Sequence, residues 1–179
     1  MQKGGDYERG FTLFELLVVI VILGTLAAIA APGWLRFLAR QQTTSAQEHI
    51  RQDIQQAQMK SQQNNVLWQF SVRENNGIVE TTTHPATVEP SESNWESLNK
   101  SIRLDSETTL LSKDGVRYVR FDEKGNVRGS RLGRVTVSSK QFSDIKHCVI
   151  VSTLIGATRT AQENPKPDPN YKTKDRFCY

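Results

Sequence analysis

From Leu16 to Leu35 the chain carries no charged side chain, and Arg36 and Arg40 stand at the far end of the run. A helix of that length, at about 1.5 Å per residue, is roughly 30 Å long, the thickness of a bilayer hydrocarbon core. The pattern predicts one membrane span over residues 11–35, with Pro32-Gly33 reading as a kink inside it. Beyond Gly33 the chain stays free of glycine and proline as far as Asn64 and is rich in glutamine and alanine. Ala46, Ile50, Ile54, Ala57 and Ser61 recur at spacings of 4, 4, 3 and 4, a narrow small-to-apolar stripe on one helical face. The spacing predicts that the helix continues over residues 36–64, lays this stripe against the rest of the protein, and stops at Asn64-Asn65, where asparagine tolerates the left-handed cap.

Strand signals take over after that stop. Val66 to Val72 is rich in β-branched and aromatic residues, and Asn75-Asn76-Gly77 reads as a hairpin turn into Ile78 to Thr82. His84 to Lys100, with Pro85, Pro90 and several serines, reads as a loop, and Ile102 to Leu111 as room for short strands. Val116 to Phe121 alternates cleanly, with Val116, Tyr118 and Arg120 on one side and Arg117, Val119 and Phe121 on the other. Val135 to Ser138 follows as a strand, and Lys146 to Thr153 is expected to be the last one. One long helix followed by strands predicts an α+β chain, with a β-rich head over residues 65–179. About 110 residues suffice for a single small core.

Glu15 interrupts the start of the apolar run. A carboxylate at the mouth of a span is costly in lipid, which marks it as functional and in need of a cationic partner; no nearby residue supplies one. A secretory signal peptide has a shorter apolar stretch and a small-residue cleavage site after it, which this segment does not match. A plain signal-anchor helix fits the length but leaves Glu15 unexplained. The run Arg9-Gly10-Phe11-Thr12-Leu13-Phe14-Glu15, continuing to Ala31-Pro32, resembles the class III signal sequence of type IV pilins and type II secretion pseudopilins. The resemblance implies a leader at residues 1–10, cleavage by prepilin peptidase between Gly10 and Phe11, and methylation of the new amino terminus at Phe11. Glu15 then becomes the assembly residue, paired with the Phe11 ammonium of a neighbouring subunit. The implied architecture is the pilin lollipop, a long amino-terminal helix packed on an antiparallel sheet. The implied location is the inner membrane, with the head in the periplasm, and later a pilus or pseudopilus built with other pilin or pseudopilin subunits.

Charge adds a second reading. Of the 23 Lys/Arg and 19 Asp/Glu, residues 100–179 hold 16 and 9, so the carboxyl-terminal half is basic and residues 1–99 are not. Such asymmetry points to acidic partners, DNA among them. The strand pattern, with Phe-Asp-x-x-Gly after an aromatic strand and a late Val-Ile-Val-Ser, resembles the GspH/FimT branch of pseudopilins and minor pilins. FimT-like members bind DNA through a carboxyl-terminal Gly-Arg-x-Arg motif, and this chain has Gly156-Ala157-Thr158-Arg159 in the matching place. Gly156 and Arg159 match; Ala157 removes one phosphate-binding fork. Arg128, Arg131, Arg134, Lys172, Lys174 and Arg176 are further basic residues that can substitute for it.

Catalytic residues, metal ligands and cofactors are not expected. His49, His84 and His147 fall on a helix, in a loop and on a strand, none at ligand spacing with another His or Cys. No glycine-rich phosphate loop occurs. His147 and Cys148 are neighbours on a strand and therefore point to opposite faces. Trp34 reads as an interface anchor, and Trp68 and Trp95 as core residues. Cys148 and Cys178 both lie in the polar remainder and can form one disulfide, closing a loop of about 30 residues worth roughly 3–4 kcal/mol. The expectation is a non-enzymatic minor pilin or pseudopilin subunit, with a DNA-binding minor pilin as the alternative.

Overall fold

The computed structural model describes residues 11–129 and 132–162. Among these residues, helix α1 runs from Leu13 to Asn64 and is followed by nine strands: β1 Trp68–Asn75, β2 Ile78–Pro85, β3 Glu96–Ser97, β4 Ile102–Leu104, β5 Leu111–Lys113, β6 Val116–Phe121, β7 Arg134–Ser139, β8 Lys146–Val151 and β9 Thr158–Gln162. Every pairing among them is antiparallel, giving one sheet in the order β3-β2-β1-β6-β5 and a second in the order β4-β7-β8-β9. The fold class is α+β. Two compact units divide the chain between Phe37 and Leu38.

In the first unit the helix is apolar on all sides. Its most apolar stretch is wholly unburied, and by length and composition it can cross a membrane. It runs on through Pro32, which withholds one backbone donor without ending it.

In the second unit the stripe expected from the spacing is the buried face. Ala39, Thr43, Ala46, Ile50, Ile54, Ala57 and Ser61 are all buried there. Ile50, Ile54 and Ala57 join one core with Phe70, Val72, Val119 and Phe121 of the first sheet and Val135, Val137, Val149 and Val151 of the second. Thr43 and Ser61 return their hydroxyls to the helix's own carbonyls, at Ala39 (2.7 Å) and Gln58 (2.7 Å), so neither arrives in the core unpaired. The helix ends as asparagine allows: Asn65 takes φ 53°.

Two hairpins turn on two residues each. Asn76-Gly77, with φ 50° and 74°, joins β1 to β2, and Asp114-Gly115, with φ 52° and 79°, joins β5 to β6. Both residues of such a turn need positive φ, which suits the twist of the flanking strands. The second hairpin was not expected from the sequence. Three further expectations change. The segment His84 to Lys100 is not all loop, because His84 and Pro85 finish β2 and Glu96-Ser97 adds a short edge strand to it. Lys146 to Val151 is not the last strand, since β9 pairs along it from His147↔Gln162 to Val151↔Thr158. Trp68 and Trp95 are half-buried rather than core, with Lys60 4.9 Å over the first ring and Arg73 4.0 Å over the second.

Because Ile54 is fully enclosed, Ile54→Ala should cost about 2–5 kcal/mol and lower the melting temperature followed by circular dichroism. Substitution of the exposed Met59 on the same helix should move it little.

Candidate functional site

At the start of α1 the sequence Thr12-Leu13-Phe14-Glu15 has the spacing of a capping box. The Glu15 N–H donates to Thr12 Oγ1 at 3.2 Å, and the Leu16 N–H to the Thr12 carbonyl at 3.1 Å. The threonine thus satisfies a donor that a helix start leaves open. Glu15 sits in the first turn, where a negative charge meets the positive end of the helix dipole. Among the described residues it has no ion pair. Phe11 is 75% exposed, and Leu13, Phe14 and Leu16 are exposed beside it. Gly10 lies outside the described residues.

The expected carboxyl-terminal residues fall in one hairpin. Gly156 ends the turn between β8 and β9 at φ 80°, and Arg159 stands exposed on β9 opposite Ile150. A side chain at Gly156 would meet Gln58 Nε2 at 2.4 Å and the Gly125 carbonyl oxygen at 3.0 Å. The glycine is thus required by the helix packed over the turn. Gly125, φ 79°, is held the same way beneath Gln62. Of the other basic residues, Arg134 is buried and donates Nε to the Glu107 carbonyl at 3.1 Å, so it is not available to a phosphate. Arg131, Lys172, Lys174 and Arg176 lie outside the described residues, as does Cys178. Cys148 is fully buried with Ala161 and the half-buried Ile150, and no described cysteine is a free thiol.

A row of glutamines on α1 holds this region. Gln47 Nε2 donates to the Cys148 and Ala161 carbonyls at 2.7 and 2.8 Å, and Gln58 Nε2 to the Gly125 and Ile155 carbonyls at 2.9 and 2.8 Å. Gln62 Nε2 reaches the Lys124 carbonyl at 3.0 Å. These bonds satisfy backbone acceptors where the sheet and turns meet the helix.

The histidines are dispersed. His49 lies 3.5 Å from Asp53 and 3.6 Å from Glu96; His84 lies 3.2 Å from Ser71 Oγ. His147 is buried with Nδ1 3.3 Å from Thr44 Oγ1, while Cys148 beside it packs on the other face. Burial first, and Arg40 second, hold the His147 pKa below its ordinary 6.5.

A family model described as the prokaryotic N-terminal methylation motif matches residues 6–31. The type IV major pilin protein PilA of Myxococcus xanthus is 46% identical over 44 residues, 25% of this chain and 20% of that protein. The amino-terminal segment of the chain is type IV pilin-like. A fimbrial protein of Moraxella nonliquefaciens is 51% identical over 39 residues, 22% of this chain and 25% of its own. A fimbrial protein of Pseudomonas aeruginosa is 46% identical over 43 residues, 24% and 28% of the two chains. The chain thus spans about a fifth to a quarter of the length of these relatives. Among solved structures, the type IV minor pilin FimU of Pseudomonas aeruginosa aligns over 69% of this chain and 90% of its own, at TM-score 0.49 and 11% identity.

The pKa depression of His147 gives a testable sign. An unfolded chain binds the imidazole proton more readily than the folded one, so the stability His147 confers is complete above pH 6.5 and is lost as pH falls below it. Between pH 7.5 and about 5 the melting temperature should fall, and His147→Gln should flatten that part of the profile.

Proposed function

We propose that the chain is a non-enzymatic minor pilin or pseudopilin subunit, made as an inner-membrane precursor and built into a type IV pilus or a type II secretion pseudopilus. The observation that carries this reading is the unburied apolar start of α1, where the Thr12 hydroxyl caps the Glu15 N–H inside the matched methylation motif. Residues 1–10 are the leader, 11–35 the span, 36–64 the periplasmic continuation of the helix and 65–179 the head. Prepilin peptidase cuts between Gly10 and Phe11 and methylates Phe11. An exposed apolar helix in a single chain needs lipid or other helices around it, and fellow subunits supply the latter. Glu15 has no cation within the described residues, and the Phe11 ammonium of a neighbour offsets part of its desolvation in the assembled filament. Cys148 pairs with Cys178 and ties the carboxyl-terminal segment to β8.

Gly10→Val should leave full-length precursor in the inner membrane, read by mass. Glu15→Val should be cut normally yet fall at least about tenfold in sheared filament fractions, since it abandons a buried charge partner. Mature-sized protein from the first variant, or wild-type filament levels from the second, would remove these assignments.

A second reading, a DNA-binding minor pilin, is favoured by the exposure of Arg159 on β9 within the basic half. Contact with phosphates makes binding steeply salt-dependent and nearly sequence-blind. Arg159→Ala should weaken a gel shift at about 50 mM salt, and Ala157→Arg should strengthen it by restoring a second fork. No shift from either the native chain or Ala157→Arg excludes this reading and leaves the assembly reading untouched.

A further inference from the structure

The outer face of the first sheet, turned away from the core, carries a feature that neither processing nor assembly uses. Residues Ala86 to Ser91 cross over this face and enclose a slot of about 300 Å³, the lower end of the range for small-molecule sites. Gln69 of β1 and Tyr118 and Arg120 of β6 form its floor on the sheet, and Val88, Pro90 and Lys113 also line it.

The floor is pre-organised by a buried polar chain. His84 Nε2 lies 3.2 Å from Ser71 Oγ, Gln69 Nε2 donates to the same Oγ at 2.8 Å, and Arg120 Nε donates to Gln69 Oε1 at 2.6 Å. Gln69, Ser71 and His84 are each at most 5% exposed. The Arg120 guanidinium also lies 4.7 Å over the Tyr118 ring. Its Nε is therefore spent and its plane is fixed, while its terminal amino groups have no carboxylate partner among the described residues. Arg73, the other guanidinium lining the slot, is already engaged by Glu80 at 2.9 Å. Glu89 and Asp114 also line the slot and counter Lys113 and Arg73, which disfavours a highly charged phosphate. A single carboxylate matches the one unengaged fork, and Tyr118, Val88 and Pro90 offer surface to an apolar or ring-shaped body.

We propose that this slot binds a ligand carrying one carboxylate on a flat or apolar body, its carboxylate held by Arg120 and its body packed among Val88, Pro90 and Tyr118. Two sources share this chemistry, a free acidic sugar and an acidic side chain of a partner polypeptide. The proposal is independent of the assembly and DNA readings, because it uses no residue assigned to either.

The test uses the full chain in detergent micelles and ligand-observed NMR with four probes: glucuronate, N-acetylglutamate methylamide, and their neutral counterparts glucose and N-acetylglutamine methylamide. Binding of at least one acid at Kd in the millimolar range or tighter is expected, with the neutral partner at least about tenfold weaker. Preference for glucuronate identifies the sugar source, and preference for the glutamate probe the polypeptide source. Arg120→Gln should lose at least about tenfold of that affinity and Arg120→Lys most of it, since a point charge cannot replace the fork. Arg159→Ala should leave it unchanged. Melting curves check that the Arg120 variants fold; if Arg120→Gln does not, Tyr118→Leu, which removes the ring and keeps the fork, should weaken binding at unchanged selectivity for the acid. No binding of either acid at about 10 mM, equal binding of acid and neutral probes, or undiminished binding by folded Arg120→Gln overturns the proposal.

Discussion

Burial of one helical stripe is the constraint from which the head is organised. Ile50, Ile54 and Ala57 lie between valines and phenylalanines of two separate sheets, and each sheet alone would leave an apolar face wet. The stripe is narrow and small because both sheets must approach the same helix. The rest of that helix surface is then free to be polar, and its glutamines serve as ties to the backbone around the core. Gly125 and Gly156 follow from the same closeness: each sits under a glutamine side chain where a Cβ has no room.

How much of this could be read beforehand depends on how local each signal is. The apolar start with Glu15 lies within a few residues, and so do the stripe spacing and the Asn76-Gly77 turn; all three were legible. Asp114-Gly115 is an equally good turn, but Leu111-Ser112-Lys113 before it lacks the β-branched residues that mark a strand, so the hairpin was passed over. β9 was missed because Thr158 to Gln162 is a polar edge whose only buried residue is Ala161. Pro85 read as a breaker, yet a proline at a strand's end loses no ladder bond. Arg134 counted as surface charge, whereas its guanidinium is drawn inward by the Glu107 carbonyl. The slot beside Arg120 joins residues far apart in sequence, and alternation within β6 could put Tyr118 and Arg120 on one face without saying what lies across from them.

The two units divide two kinds of apolar surface. One buries its stripe within the chain; the other leaves its apolar residues exposed all around. A single helix thus passes from exposed to buried along its length. The change falls between Trp34, 61% exposed, and Ala39, 5% exposed, with the charges of Arg36 and Arg40 set at the transition.

The glutamine ties also have a mechanical side. Gln47, Gln58 and Gln62 grip β8, β9 and two turns at successive levels along one helix, so a pull along the helix axis loads all of them at once and not one after another. Bonds loaded in shear resist collectively, whereas a sideways peel meets them singly. The head is therefore built to stay attached when hauled by its helix, and weakest against a force that lifts it away.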